Sequence, residues 1–334
     1  MTSMVNSSSS SSSSSSNNNN NKYNVQDILN RAYNAHHTGD YNMAQRFYIR
    51  CIEIEPNNEE IQLIYGEFLA EIGNTEEAKK IFTTICNNSA KTTINPNAIF
   101  SLAQLQSGKE AVNTFEQGIL NLQEQLKKND NNNNNNNNNS EIKKQIASAY
   151  CRVIEIYMTD LCFEQNAEQI CEEAAKKAVE YGGNDNIEAL YCYANVCLSQ
   201  CKNNIAKEYI VKAAIVLQTL ADKDQEEVND FEITYDVQLN IAKILIEVNE
   251  ASKASDILER LLLINDTDIE LLFICGICYN ILQEFKTSKQ YLIKSKDMIN
   301  QLQNSGEDYG GMDLTNYLQQ VNNMLTTVNR SLQQ

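Results

Sequence analysis

Cys275 and Cys278, three apart in the run LLFICGICYN, have the spacing of a thiol–disulfide pair. A redox pair of this kind needs a helix N-terminus, whose dipole and unpaired N–H groups stabilise the thiolate. Here apolar residues flank both thiols and place them inside a helix around the small residue Gly276. They read as small core hydrophobes. His36 and His37 are neighbours, and consecutive positions on a helix point to different sides, so they do not converge on a metal or serve a triad. Cys197 and Cys201 form a helical i, i+4 pair near Cys192, but a zinc site there lacks a fourth ligand. Neither GxGxxG nor GxxxxGK[ST] occurs, and no carboxylate pair stands out among 44 acidic residues. No catalytic centre, metal site or cofactor is expected, and the chain reads as a non-enzyme.

The charges point to binding instead. Acids outnumber Lys and Arg by 44 to 27, a net charge of −17. Non-specific nucleic-acid binding and anionic membranes both require the opposite balance, so direct contact with either is not expected. A basic protein is the partner such a chain admits, although acidity for solubility is the bland alternative. Ten cysteines occur without an apolar leader in the first 22 residues, and no run of about 18 apolar residues exists. Reduced thiols in cytoplasm and nucleus are therefore expected.

The elements that carry these charges emerge from repeat arithmetic. In GDYNMAQRFY and GNTEEAKKIF, Gly39 and Gly73, Ala44 and Ala78, and Tyr48 and Phe82 are each 34 apart. That is the tetratricopeptide period, in which small residues let two helices approach and a bulky residue follows. Small residues 12 apart recur at Ala194/Ala206, Ala242/Ala254 and Gly276/Ser288, each followed four positions on by Ile210, Leu258 or Leu292. Ala103 to Ala111 is short by comparison. Ala149 to Ala167 spans 18, six residues too many. With Gly and Pro scarce (11 and 2), the expected fold is all-α: a tetratricopeptide-type superhelical solenoid of about seven helical hairpins. Their spans are roughly 25–58, 59–92, 94–128, 142–184, 187–220, 235–268 and 269–302. The domain expectation is a disordered Ser/Asn-rich tail over 1–22, a solenoid over 23–304 with a disordered Asn-rich insert at 129–140, and a tail over 305–334 with a capping helix. The six extra residues carry neither Gly nor Pro, so the first helix of the fourth hairpin is expected to continue through Met158–Leu161.

In such repeats the first helix of each hairpin lines the inner wall. By phase that wall includes Glu60, Glu67 and Glu71, then Tyr150, Tyr157, Glu188, Tyr191 and Asn195, with Asp160 and Glu164 on the extra segment. Between Asp160 and Glu188 lie eight acids against two lysines. Carboxylates bind Arg and Lys, and rings stack on guanidinium planes, so this set is the candidate partner site. A solvated acidic face is the alternative.

The string EIYMTDLCFEQNAEQICEE, from Glu155 to Glu173, resembles the signature block of the dedicated assembly chaperones of large-subunit ribosomal protein four. IFSLAQLQSGKEAVNTFEQGI from Ile99 and LNIAKILIEVNEASKASDILERLL from Leu239 resemble the same family, and together the resemblance covers roughly residues 25 to 302. It implies a chaperone that holds a newly made basic ribosomal protein by its long internal loop and accompanies it into the nucleus. The free protein is expected to be monomeric. Alternatives are a generic tetratricopeptide scaffold, a thiol enzyme using Cys275 and Cys278, and a co-chaperone of the ninety-kilodalton heat-shock protein. The last needs basic and Asn clamp residues, where this chain has Leu29, Tyr33 and Ile64.

Overall fold

The structure, a computed structural model, describes residues 19–87, 95–131, 136–223, 233–305 and 313–333. The described residues are all-α and pair in chain order into tetratricopeptide-type hairpins. Two compact units divide the chain, Met1–Asn121 and Leu122–Gln334.

The first unit contains α1 (Asn19–His37) and α2 (Tyr41–Ile54), α3 (Glu59–Glu71) and α4 (Thr75–Cys86), then α5 (Pro96–Gln104) and most of α6 (Gly108–Asn131). The second contains α7 (Asn136–Met158) and α8 (Ala167–Gly182), α9 (Ile187–Ser199) and α10 (Asn203–Lys223), α11 (Tyr235–Glu247) and α12 (Ala251–Ile264), and α13 (Ile269–Ile281) and α14 (Phe285–Ser305). A last helix, α15 (Leu314–Ser331), packs Val321, Leu325 and Val328 against Phe273 and Ile299 of the final hairpin.

Helix starts follow the side chains that satisfy free N–H groups. Asp40, Asn58, Asn186 and Asp268 accept from the first-turn amides of α2, α3, α9 and α13. Asn95 does the same for α5, with Pro96 at the first helical position.

Within each regular hairpin a small residue on the first helix and a bulky one 16 positions later are both buried: Ala32 and Tyr48, Gly66 and Phe82, Ala194 and Ile210, Ala242 and Leu258, Gly276 and Leu292. The approach is closest at the glycines. A Cβ on Gly66 would lie 2.5 Å from Phe82, and one on Gly276 would lie 2.5 Å from Leu292. The third hairpin reverses the roles, with Phe100 on α5 and the glycine, Gly118, on α6.

Each intervening turn passes through a left-handed residue five positions before the small residue of the second helix. Gly39, Gly73, Cys201, Asn249 and Gln283 all have φ between 57° and 83°. Asn166 (φ 66°) plays this part in the fourth hairpin and marks Cys171, rather than Ala167, as the equivalent small position.

Two sequence expectations need correction. Helix runs further into the polar tracts than composition suggests: α1 begins at Asn19, inside the 1–22 tract, while α6 reaches Asn131 and α7 starts at Asn136, inside the 129–140 tract. Extending an existing helix adds one hydrogen bond for each residue fixed, so even asparagine follows. Asn129 Nδ2 also donates to Asn139 Oδ1 at 2.9 Å, and Asn139 Nδ2 to Asp130 Oδ1 at 3.0 Å, clasping the two helix ends. The disorder expected for 1–18 and 132–135 lies outside the described residues.

The second correction concerns α7, which ends at Met158 rather than continuing through Leu161. Thr159 donates its N–H and its hydroxyl to Glu155 O, at 3.0 and 2.8 Å, and Leu161 N–H donates to Ile156 O at 3.0 Å. Burial of Leu161 draws the chain back onto the core, and the extra residues become the turn 159–166.

Burial pushes the thiols of Cys275 and Cys278 up to about 12, and Cys278 Sγ–H donates to Ala251 O at 3.2 Å. Cys162 and Cys201 are the exposed thiols. A disulfide reagent should therefore label these two within minutes on the native protein, and the remainder only after denaturant is added. Fast native labelling of Cys275 or Cys278 would contradict the buried placement.

Candidate partner-binding surface

In the first unit, α3 presents Glu60, Glu67 and Glu71 on one side, at spacings of seven and four. Tyr33 of α1 stands beside them. Its phenol is raised by burial first, then by the charges of Glu67 and Glu60. The ring rests edge-on against Tyr48 with 38% of the residue exposed. Glu67 keeps contact with solvent, yet desolvation by surrounding side chains lifts its carboxyl above the ordinary value. Glu71 Oε1 lies 3.0 Å from His36 Nε2, whose ring packs edge-on to Phe68. Exposed carboxylates on α3 and a part-exposed tyrosine on α1, the helix that meets α3 through His36 and Glu71, are groups that can accept a cation from Lys or Arg and cover its apolar stem. Tyr33 was not among the sequence candidates. The signal existed: it precedes Glu67 by 34 residues and so holds the same repeat position.

In the second unit the first helices of successive hairpins lie side by side, α7 against α9, α9 against α11, and α11 against α13. The candidates here are already engaged with one another's helices. Arg152 Nη2 of α7 lies 3.3 Å from Glu188 Oε1 of α9, while its Nη1 holds Glu155 at 3.0 Å. Asn195 Nδ2 points at Met158 Sδ, 3.9 Å away. Lys243 of α11 pairs with Glu270 of α13. Tyr150 lies against α8: its ring stacks with Tyr181 at a centroid distance of 6.3 Å, and Lys177 Nζ sits 5.5 Å above it. Tyr157 is half-buried against the core of this unit. Glu188 and Asn195 thus tie neighbouring helices together. Asp160 and Glu164, on the 159–166 turn, are exposed.

No cluster of three or more His, Cys, Asp or Glu side chains able to hold a metal occurs among the described residues. None of their helices is long and apolar enough to cross a membrane.

Comparison with known proteins gives the context for this surface. The chain is 28% identical over 216 residues to a probable assembly chaperone of rpl4 from Schizosaccharomyces pombe, covering 64% of this chain and 61% of that protein. It is 24% identical over 260 residues to a probable assembly chaperone of rpl4 from Emericella nidulans, covering 74% of this chain and 62% of that one. The chain therefore spans about three fifths of the length of these curated relatives. A solved structure of an assembly chaperone of RpL4 (Acl4, residues 1–338) superposes with a TM-score of 0.64 at 22% identity, covering 78% of this chain and 98% of that one. That likeness supports the same helical-repeat fold. No family model matches the chain.

Proposed function

We propose that this protein is a dedicated chaperone that binds a newly made, basic large-subunit ribosomal protein, ribosomal protein four, through its internal loop for ribosome assembly. The observation that carries the reading is the row of Glu60, Glu67 and Glu71 on one side of α3, on a chain of net charge −17. The similarity to two probable chaperones of rpl4 supports the choice of partner. Holding such a loop would neutralise Lys and Arg side chains that otherwise bind RNA or aggregate. The protein acts by binding rather than catalysis, works as a monomer in cytoplasm and nucleus, and needs no cofactor.

The test is calorimetric titration with the internal loop of ribosomal protein four as a peptide, at low and physiological salt. Binding should saturate at one peptide per chain and weaken as salt rises, because screening shortens the reach of exposed charges. No heat of binding at either salt would retire the reading in favour of a generic scaffold.

A further inference from the structure

The turn 159–166 buries Leu161, which is 8% exposed, and presents Phe163 at 99% exposure. No other large apolar side chain among the described residues is so open; Leu263 follows at 89%. The turn that carries Phe163 is held by backbone bonds on both sides. Leu161 N–H donates to Ile156 O, Glu164 N–H to Leu161 O at 2.9 Å, and Ala167 N–H to Glu164 O at 3.1 Å. Asn166 then fixes the entry into α8 with its left-handed backbone. An aromatic ring on an ordered turn loses little freedom when a partner covers it, which is the property of an interface anchor.

The surrounding charges say what would cover it. From Met158 to Ile170 the chain carries Asp160, Glu164 and Glu168, all exposed, and no Lys or Arg. Phosphate backbones and anionic lipid are repelled by such a surround, and so is a second copy of a chain with net charge −17. A Lys- or Arg-rich polypeptide is attracted. Its guanidinium planes and methylene stems pack on a phenyl face while the carboxylates take the charge.

We infer that Phe163 is an aromatic anchor onto which a basic polypeptide segment docks, with Asp160 and Glu168, three and five residues away along the chain, supplying negative charge. The inference rests on the chaperone reading for the identity of the segment and extends it to a contact at the α7–α8 turn. The chain has no tryptophan, so Phe163→Trp makes position 163 the sole indole reporter. Its emission should shift to the blue as the loop peptide of ribosomal protein four is added, saturating with the calorimetric affinity of the wild type. Phe163→Ala should weaken binding by roughly fivefold or more at unchanged melting temperature, and Phe163→Tyr should restore it.

An unshifted indole with full affinity in Phe163→Ala overturns the inference and leaves the chaperone reading intact. If the wild type ignores the loop peptide, the same tryptophan variant is titrated with oligo-arginine. A saturable blue shift there keeps the anchor while the chaperone reading falls, and no shift with either peptide ends the inference. A blue shift that grows with protein concentration alone assigns the ring to self-association and overturns the inference as well.

Discussion

Phe82→Ala is expected to cost about 3–5 kcal/mol of stability, because the ring is fully buried and its removal leaves a cavity between α3 and α4. Gly66→Ala should also destabilise the wild type, by about 1–3 kcal/mol. Its new methyl would stand 2.5 Å from Phe82 Cε1, and a ring with no exposure has no space to turn into. Helix propensity works against that cost, since alanine is favoured over glycine by about 1 kcal/mol in a helix interior. The decisive measurement is the cycle. In the Phe82→Ala background the clash is absent and the methyl fills part of the cavity, so Gly66→Ala should become stabilising. The coupling free energy should be about 2–4 kcal/mol, the wild-type cost plus a gain of about 1 kcal/mol in the truncated background, measured by urea unfolding of all four proteins. If Gly66→Ala costs the same in both backgrounds, ring contact is not the reason glycine occupies position 66.

That contact also explains what was legible in the chain. Small and bulky positions 16 apart leave a trace in residue type, so Gly66 with Phe82 and Ala242 with Leu258 expose the hairpins without a structure. Turn geometry leaves a weaker trace. Gly39 and Gly73 announce their left-handed backbones, whereas Cys201 and Gln283 adopt the same conformation with side chains that do not advertise it. The six extra residues were countable, but their conformation was not. Helix propensity favoured continuation, and the burial of Leu161, a tertiary effect, decided for a turn.

What the sequence left illegible in the proposed wall is which of its side chains pair with one another. Arg152 meets Glu188 at a separation of 36, and Lys243 meets Glu270 at 27. These separations depend on how each hairpin registers against the next, which no local pattern encodes. A carboxylate counted as available to a partner can therefore be held by a cation of the protein itself.

This distinction predicts unequal responses to charge reversal. Glu60→Lys with Glu67→Lys should weaken binding of the ribosomal loop peptide about ten- to a hundredfold at low salt. Each reversal replaces an attraction by a repulsion, and exposed ion pairs are worth roughly 0.2–1 kcal/mol apiece. Both residues are exposed, so the melting temperature should move little. Glu188→Gln should behave in the opposite way. It strips Arg152 of its partner on α9 and leaves Glu155 as that guanidinium's remaining carboxylate, so the tie between α7 and α9 loosens while peptide affinity changes little. The pH dependence supplies a second readout. Burial raises the carboxyl of Glu67, and a cationic partner favours its ionised form. Affinity should therefore fall as pH drops through that raised value, and the Glu67→Gln variant should lose this dependence. If Glu188→Gln abolishes peptide binding while the double reversal at Glu60 and Glu67 leaves it intact, recognition belongs to the second unit and the acidic row on α3 is only a solvated face.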